Sequence, residues 1–201
     1  MSKFFSLAYL TLPNTHPVDQ IEIAAQCGYE GVGLRTISQH LPGEPDYALA
    51  NGRMFQMVRA ALERTGVRLM DIELARVADG VDVMSYEKEF ALGAELGAKY
   101  AIASVWSADR DFSRVQFEKM CDLADKYGMK CWTNAESFDR DMPIRFPPIK
   151  FDKLRLKLEA AKRAGYDKAI TFEFSHFMSP QSAYLQAGHL YDRYKEYFEI
   201  E

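Results

Sequence analysis

The chain has 201 residues, 48% of them hydrophobic and 27% charged, with a formal net charge of -4. That length suits one α/β domain, the composition is globular rather than disordered or membrane-embedded, and the acidic balance excludes the basic footprint of a nucleic-acid or acidic-membrane binder. Cys27, Cys121 and Cys131 are odd in number and lack C-x-x-C spacing, which leaves no disulfide framework or structural zinc motif and fits reduced thiols in a cytoplasmic protein.

The first apolar run, Phe4 to Leu10, ends at Pro13-Asn14 and has no small-x-small cleavage site before the proline, so it reads as a buried strand rather than a leader. Pro17 to Gln26 follows with Val18, Ile21, Ala24 and Ala25 at helical spacing. The alternation recurs: strand Gly31 to Thr36 and helix Arg53 to Arg64, strand Arg68 to Val77 and helix Ser85 to Leu96, strand Lys99 to Ser107 and helix Ser113 to Tyr127. Strand Lys130 to Phe138 leads through a proline-rich loop to helix Phe151 to Arg163, and strand Lys168 to Phe177 leads to a terminal helix from about Ala183. Gly28, Gly66, Gly97, Gly128 and Gly165 each fall just past a helix, where a positive φ closes the last turn. No stretch approaches the roughly 20 apolar residues that span a bilayer.

Strands alternating with amphipathic helices imply parallel pairing, in an open doubly wound sheet or a closed barrel. The expected fold is α/β, a parallel (βα)n barrel of TIM type shortened to about six units, against the usual eight. It forms a single domain over residues 1–201, with a segment junction near 129–131.

Side chains alternate faces along a strand. Met70, Ile72 and Leu74 form one apolar set, which leaves Leu69, Asp71, Glu73 and Ala75 on the inner face; Arg35 falls inward at the end of its strand, as do Glu136 and Glu173 on theirs. Such groups converge where barrel sites form, at the carboxyl ends of the strands. An interior carboxylate is expensive unless paired, hydrogen-bonded or metal-bound. Arg35 paired with Glu73 or Asp71 in a satisfied ion network is the structural reading; carboxylates holding Mn²⁺ or Mg²⁺ is the functional one. His176, three residues after Glu173, is a candidate ligand or general acid–base, and Trp106 and Trp132 are candidate sugar-stacking aromatics. The chain has no G-x-G-x-x-G, P-loop, G-x-S-x-G or H-E-x-x-H motif.

Phe5-Ser6-Leu7-Ala8, Gly28-Tyr29-Glu30-Gly31-Val32-Gly33-Leu34-Arg35, Asp71-Ile72-Glu73-Leu74, Ala94-Glu95-Leu96-Gly97-Ala98 and Cys121-Asp122-Leu123-Ala124 resemble the sugar phosphate isomerase/epimerase family of xylose-isomerase-like TIM barrels. The resemblance covers about Phe4 to Met129 and implies a divalent metal assisting proton transfer beside a sugar carbonyl. Cys131 to Phe138 and Ile170 to Met178 resemble the last strands of a different, glycosidase-like barrel family, and Glu136 and Glu173 there could stand where two glutamate metal ligands do.

Two resemblances joined near 129–131, with about two units missing, read first as an engineered or recombined barrel scaffold with no assured activity. The alternatives are a metal-dependent sugar (phosphate) isomerase or epimerase and a carbohydrate hydrolase with two catalytic glutamates. In the isomerase, Glu136 and Glu173 hold Mn²⁺ or Mg²⁺, Glu73 or His176 moves the proton, and Arg35 holds an anionic substrate group. Open strand edges imply a homodimer or strand-exchanged assembly.

Overall fold

Strand and helix alternate along the chain as the periodicity predicts. The structure, a computed structural model, describes residues 4–38, 42–131, 133–137, 147–165, 169–172 and 174–199, with backbone alone at 131, 133–136, 169–170, 172 and 174–175. Two compact units divide the chain, Met1–Cys131 and Trp132–Glu201.

The first unit runs β1 (Ser6–Leu7), α1 (Pro17–Gln26), β2 (Gly31–Arg35), α2 (Gly52–Thr65), β3 (Arg68–Val77), α3 (Glu87–Glu95), β4 (Tyr100–Val105), α4 (Arg110–Lys126) and β5 (Lys130–Cys131). Its strands form one parallel sheet in the order β1-β2-β3-β4-β5. That order follows the chain without the reversal that defines a doubly wound sheet, so the winding is that of a barrel wall. The second unit holds β6 (Thr133–Glu136), α5 (Phe151–Arg163), β7 (Ala169–Phe172), a helical turn α6 (Phe174–Phe177) and α7 (Leu185–Phe198). β6 and β7 pair in parallel. No described helix is long and apolar enough to cross a membrane.

Several boundaries differ from expectation. The first strand shrinks to two residues because the chain turns into a 3₁₀ helix at Tyr9–Thr11, which leaves Leu10 outside the core. Helix α4 starts three residues early because the Asp109 carboxylate accepts the Phe112 N–H at 3.0 Å and caps it. The last strand ends at Phe172 rather than Phe177, and Phe174–Phe177 forms the helical turn; a short apolar run does not reveal its period. The helix-end glycines Gly28, Gly66, Gly97, Gly128 and Gly165 all carry positive φ, as expected.

The core of the first unit lies between sheet and helices. Val32 and Leu34 of β2 and Ile72 of β3 are fully buried with Ile21 and Ala24 of α1, Val58 and Ala61 of α2 and Phe90 of α3. Helix α3 approaches β3 closely at Gly93, where a Cβ would stand 2.9 Å from Ile72 Cδ1. Burying each large aliphatic side chain stabilises by roughly 2 kcal/mol, the same order as the penalty for one desolvated carboxylate. The apolar layer is therefore what sustains charged groups on the sheet's other face. In the second unit Leu154 and Leu158 of α5 pack with Ile149, Met178 and Leu190, and the Thr171 and Tyr194 hydroxyls share a hydrogen bond of 3.1 Å.

Two buried polar side chains of the first unit set loops and register. The Glu89 carboxylate on α3 accepts the Leu49 N–H at 3.0 Å and the Ala50 N–H at 2.9 Å, tying down the segment ahead of α2. Gln20 of α1 donates from Nε2 to the Gly33 carbonyl at 3.1 Å. Glu89→Ala leaves two N–H groups without their acceptor and should cost about 2 kcal/mol or more, the usual penalty for orphaned buried donors. Urea denaturation of the variant checks this, and a loss below about 0.5 kcal/mol, the lower end for a single hydrogen bond, would show that Glu89 does not hold the loop.

Candidate functional site

On the register of β2 against β3, Gly33 stands opposite Asp71 and Arg35 opposite Glu73. The register shifts by one residue between Val32 and Gly33, and the extra residue in β3 is Met70. A Cβ on Gly31 would meet Met70 Cγ at 2.6 Å, and one on Gly33 would meet Asp71 Oδ1 at 2.4 Å. Gly31 and Gly33 share a face, so Met70 and Asp71 do too. This corrects the placement of Met70 with Ile72 and Leu74: an inserted residue breaks the alternation that strand periodicity assumes.

Gly33 is what gives the Asp71 carboxylate room, since any side chain at 33 would occupy its position. Two residues on, Glu73 is 6% exposed and receives the guanidinium of Arg35, with Nη2 to Oε1 at 3.4 Å. The Arg35 guanidinium lies over the Tyr9 ring, 4.2 Å from its centroid. Its Nε is buried and makes no hydrogen bond among the described residues. The Glu73 carbonyl accepts the Thr36 N–H at 3.0 Å and the Ile37 N–H at 3.1 Å, so main chain anchors the residue as well.

Beside Arg35 opens a cavity of about 250 Å³, also lined by Tyr9, Asn14, Glu44 and Tyr47. Tyr9 OH accepts the Asn14 N–H at 3.2 Å, Ser38 Oγ donates to Glu44 Oε2 at 3.0 Å, and the His16 ring meets Tyr47 edge-on at 5.1 Å. The far wall belongs to the segment that Glu89 fixes through Leu49 and Ala50.

Burial, then the neighbouring charge of Glu73, pushes the Asp71 carboxyl up to about 7. Burial also raises Glu73, against which the charge and hydrogen bond of Arg35 work. Near neutral pH the pair therefore offers one carboxyl, Asp71, that carries a proton part of the time, beside a second whose charged form burial opposes and Arg35 favours. The two sites interact, so their titration belongs to the pair.

Of the residues singled out from sequence, the structure brings Arg35 and Glu73 together. Asp71, which alternation had placed inward as the other possible partner of Arg35, lies beside Glu73 instead, and the structure adds the loop residues Tyr9, Asn14, Glu44 and Tyr47, which carry no periodic signal. Trp106 follows β4 and is 59% exposed; Nε1 donates to Ser104 Oγ at 2.5 Å and the Arg76 guanidinium lies 5.7 Å from its ring, but Trp106 does not line the cavity. His176 sits exposed in α6, a helical turn and not the strand end expected of it. Glu136 is the last residue of β6, opposite Phe172, with its side chain outside the described set; Trp132 and Glu173 lie outside the described residues altogether. Among the described residues no three His, Cys, Asp or Glu side chains gather as a metal-ligand group.

Residues 59–184 match a domain of unknown function, DUF4434. The chain belongs to that family. DUF4434 here spans the 129–131 segment without a break. A crystal structure of a Bacteroides thetaiotaomicron VPI-5482 protein, provisionally named an alpha-L-fucosidase, superposes with a TM-score of 0.62 at 42% identity over 92% of this chain. A xylose isomerase domain containing protein of Salmonella typhimurium LT2 gives a TM-score of 0.56 at 14% identity over 94% of the chain. A xylose isomerase domain protein of Alicyclobacillus acidocaldarius gives 0.56 at 19% over 84%. The latter two show the fold, α/β with parallel strands in the manner of xylose-isomerase-like TIM barrels. The chain spans 62%, 63% and 62% of the lengths of these three proteins. No curated protein matches it.

The Asp71 shift has a sign that stability measurements read directly. A carboxyl raised from 3.8 to about 7 in the folded state contributes stability that is complete below pH 3.8 and lost as the pH rises through 7. Asp71→Asn removes that loss, so the variant should match the wild type near pH 4 and exceed it at pH 8 by on the order of 4 kcal/mol, at 1.36 kcal/mol per pKa unit. Urea denaturation across this range checks it; parallel profiles for the two proteins would show that Asp71 titrates normally.

Proposed function

We propose that this DUF4434 protein is a carbohydrate-active enzyme of the isomerase or epimerase type. Asp71 and Glu73 exchange a proton with a sugar carbon beside a carbonyl, one as base and the other as acid, and Arg35 holds an anionic group of the substrate. The observation that carries this reading is the pair of buried carboxylates in the middle of β3, Asp71 raised to about 7 and Glu73 paired with Arg35, the guanidinium that lines a cavity of about 250 Å³. General acid–base catalysis works best when the groups titrate near the working pH. The tyrosine-lined wall suits the faces of a sugar ring.

The Bacteroides relative's name favours a second reading, hydrolysis of a glycoside, in which two carboxyl groups serve as acid and nucleophile. The uninterrupted family match across 129–131, and one 42% identical protein aligned over 92% of the chain, support a single ancestry over a recombined scaffold. Mn²⁺ or Mg²⁺ on Glu136 and Glu173 is a separate proposal that rests on the resemblance alone; the proton steps are assigned to Asp71 and Glu73 without it.

Incubation with a panel of aldoses, ketoses and sugar acids in D₂O, read by NMR, tests for proton abstraction. Deuterium should enter the carbon beside the carbonyl, and Glu73→Gln should slow exchange by about 100-fold or more, the usual reach of a general base. Release of p-nitrophenol from an α-L-fucoside without any exchange would instead establish the hydrolase. Calorimetric titration with Mn²⁺ should show one site in the metal-stripped protein, lost in Glu136→Gln and Glu173→Gln; absence of binding up to millimolar Mn²⁺ removes the cation from the proposal.

A further inference from the structure

Arg35 stands between two claimants. On one side is Glu73, whose side chain is 8% exposed; on the other is the open cavity, toward which Arg35 is 29% exposed. The contact to Glu73 is a single one of 3.4 Å, at the long end for a charge-assisted hydrogen bond, and Arg35 Nε makes no hydrogen bond among the described residues. A guanidinium offers a fork of donors that matches a carboxylate bidentately. An anion in the cavity would meet the exposed part of the guanidinium and compete with the single long contact to Glu73.

We infer that a sugar bearing one carboxylate binds in this cavity by drawing Arg35 away from Glu73, and that the carboxylate left behind takes up a proton from solvent. The inference rests on the proposed role of Arg35 as the anion-holding residue and goes further, to the charge of the substrate and to a coupling between binding and protonation. No covalent bond to carbon changes in the step: one proton passes from water to a Glu73 oxygen on binding and returns on release. Binding the substrate thereby arms the pair with an acid.

The charges around Glu73 give the direction. Burial opposes the charged form of Glu73, and the charge and hydrogen bond of Arg35 on β2 favour it; Asp71 on the same strand is pushed up by burial and by the charge of Glu73. On β4, Tyr100 lies in register with Asp71, and across the cavity stands the Glu44 carboxylate. None of these supplies a second positive charge when Arg35 is drawn off.

The same charges select the ligand. A monoanion faces one guanidinium and the Glu44 carboxylate, whereas a phosphate dianion would bring a second negative charge among Glu44, Glu73 and Asp71. A sugar acid fits this balance better than a sugar phosphate, and the rings of Tyr9 and Tyr47 offer apolar faces to its ring.

Calorimetry at pH 7.2 in two cationic buffers of different ionisation enthalpy, Bis-Tris and Tris, measures protons taken up per ligand. Galacturonate should bind the wild type with net uptake of about half a proton or more, as linkage to a partly protonated pair requires. In Glu73→Gln it should bind several-fold more tightly and without uptake, because the competitor for Arg35 has gone. Arg35→Met should abolish binding, with Arg35→Lys as the variant that keeps the charge and circular dichroism as the check on folding. Buffer-independent binding to the wild type overturns the proton uptake while leaving Arg35 as the anion holder. Tighter binding of galactose 6-phosphate overturns the choice of a monocarboxylate. Methyl galactoside binding as tightly as galacturonate overturns the anion-holding role itself, and so does failure of galacturonate to bind up to tens of millimolar. The deuterium-exchange result then stands independently as the measure of Asp71 and Glu73 as proton carriers.

Discussion

Two buried carboxylates stand on one face of β3, and the guanidinium of Arg35 reaches only one of them, Glu73; much of the first unit is arranged around that imbalance. Glu73 is out of water and needs Arg35; Asp71, next along the same face, meets its burial by holding a proton part of the time. A chain that only needed a stable core would gain from apolar residues here, because desolvated charges seldom repay their cost. Their presence beside a guanidinium that lines a cavity is therefore more informative about chemistry than about stability.

The geometry that brings these groups together depends on small features of the main chain. One extra residue in β3 shifts the register at Gly33, and the Gly33 carbonyl is taken by Gln20 from α1. The missing side chain at 33 leaves the volume that the Asp71 carboxylate fills. Across the cavity, the segment ahead of α2 is held by Glu89 from α3, so a helix far along the chain sets one wall of the site. Helices α1 and α3 thus position the inner face through two buried hydrogen-bonding side chains, while their apolar contacts with Leu34 and Ile72 supply the stability.

Membership of DUF4434 and the xylose-isomerase-like winding place the chain among barrels that keep their sites on the carboxyl edge of the sheet. The scaffold leaves the reaction open, since such barrels host many chemistries through loop and strand-end variation. The chemistry of this chain centres on the cross-strand square of Gly33, Arg35, Asp71 and Glu73. Asp71 titrates at about 7, and the guanidinium of Arg35 favours the charged form of Glu73 against its burial.

Parallel α/β architecture, the order of elements and the glycines that end the helices were legible in the sequence because each depends on local periodicity or on a single backbone angle. Alternation also placed Arg35, Asp71 and Glu73 inward, because strand geometry is local. It misplaced Met70, and it could not have done otherwise, since a register shift arises from the neighbouring strand. The short first strand, the early start of α4 and the helical turn holding His176 lay beyond periodicity for a similar reason: caps and turns outcompete a weak apolar pattern. Tyr9, Asn14, Glu44 and Tyr47 come from loops whose paths no pattern encodes. Only the tertiary structure decided that Arg35 pairs with Glu73 while facing a cavity, and that Asp71 lies against Gly33, because those relations join residues about 38 positions apart through the pairing of two strands.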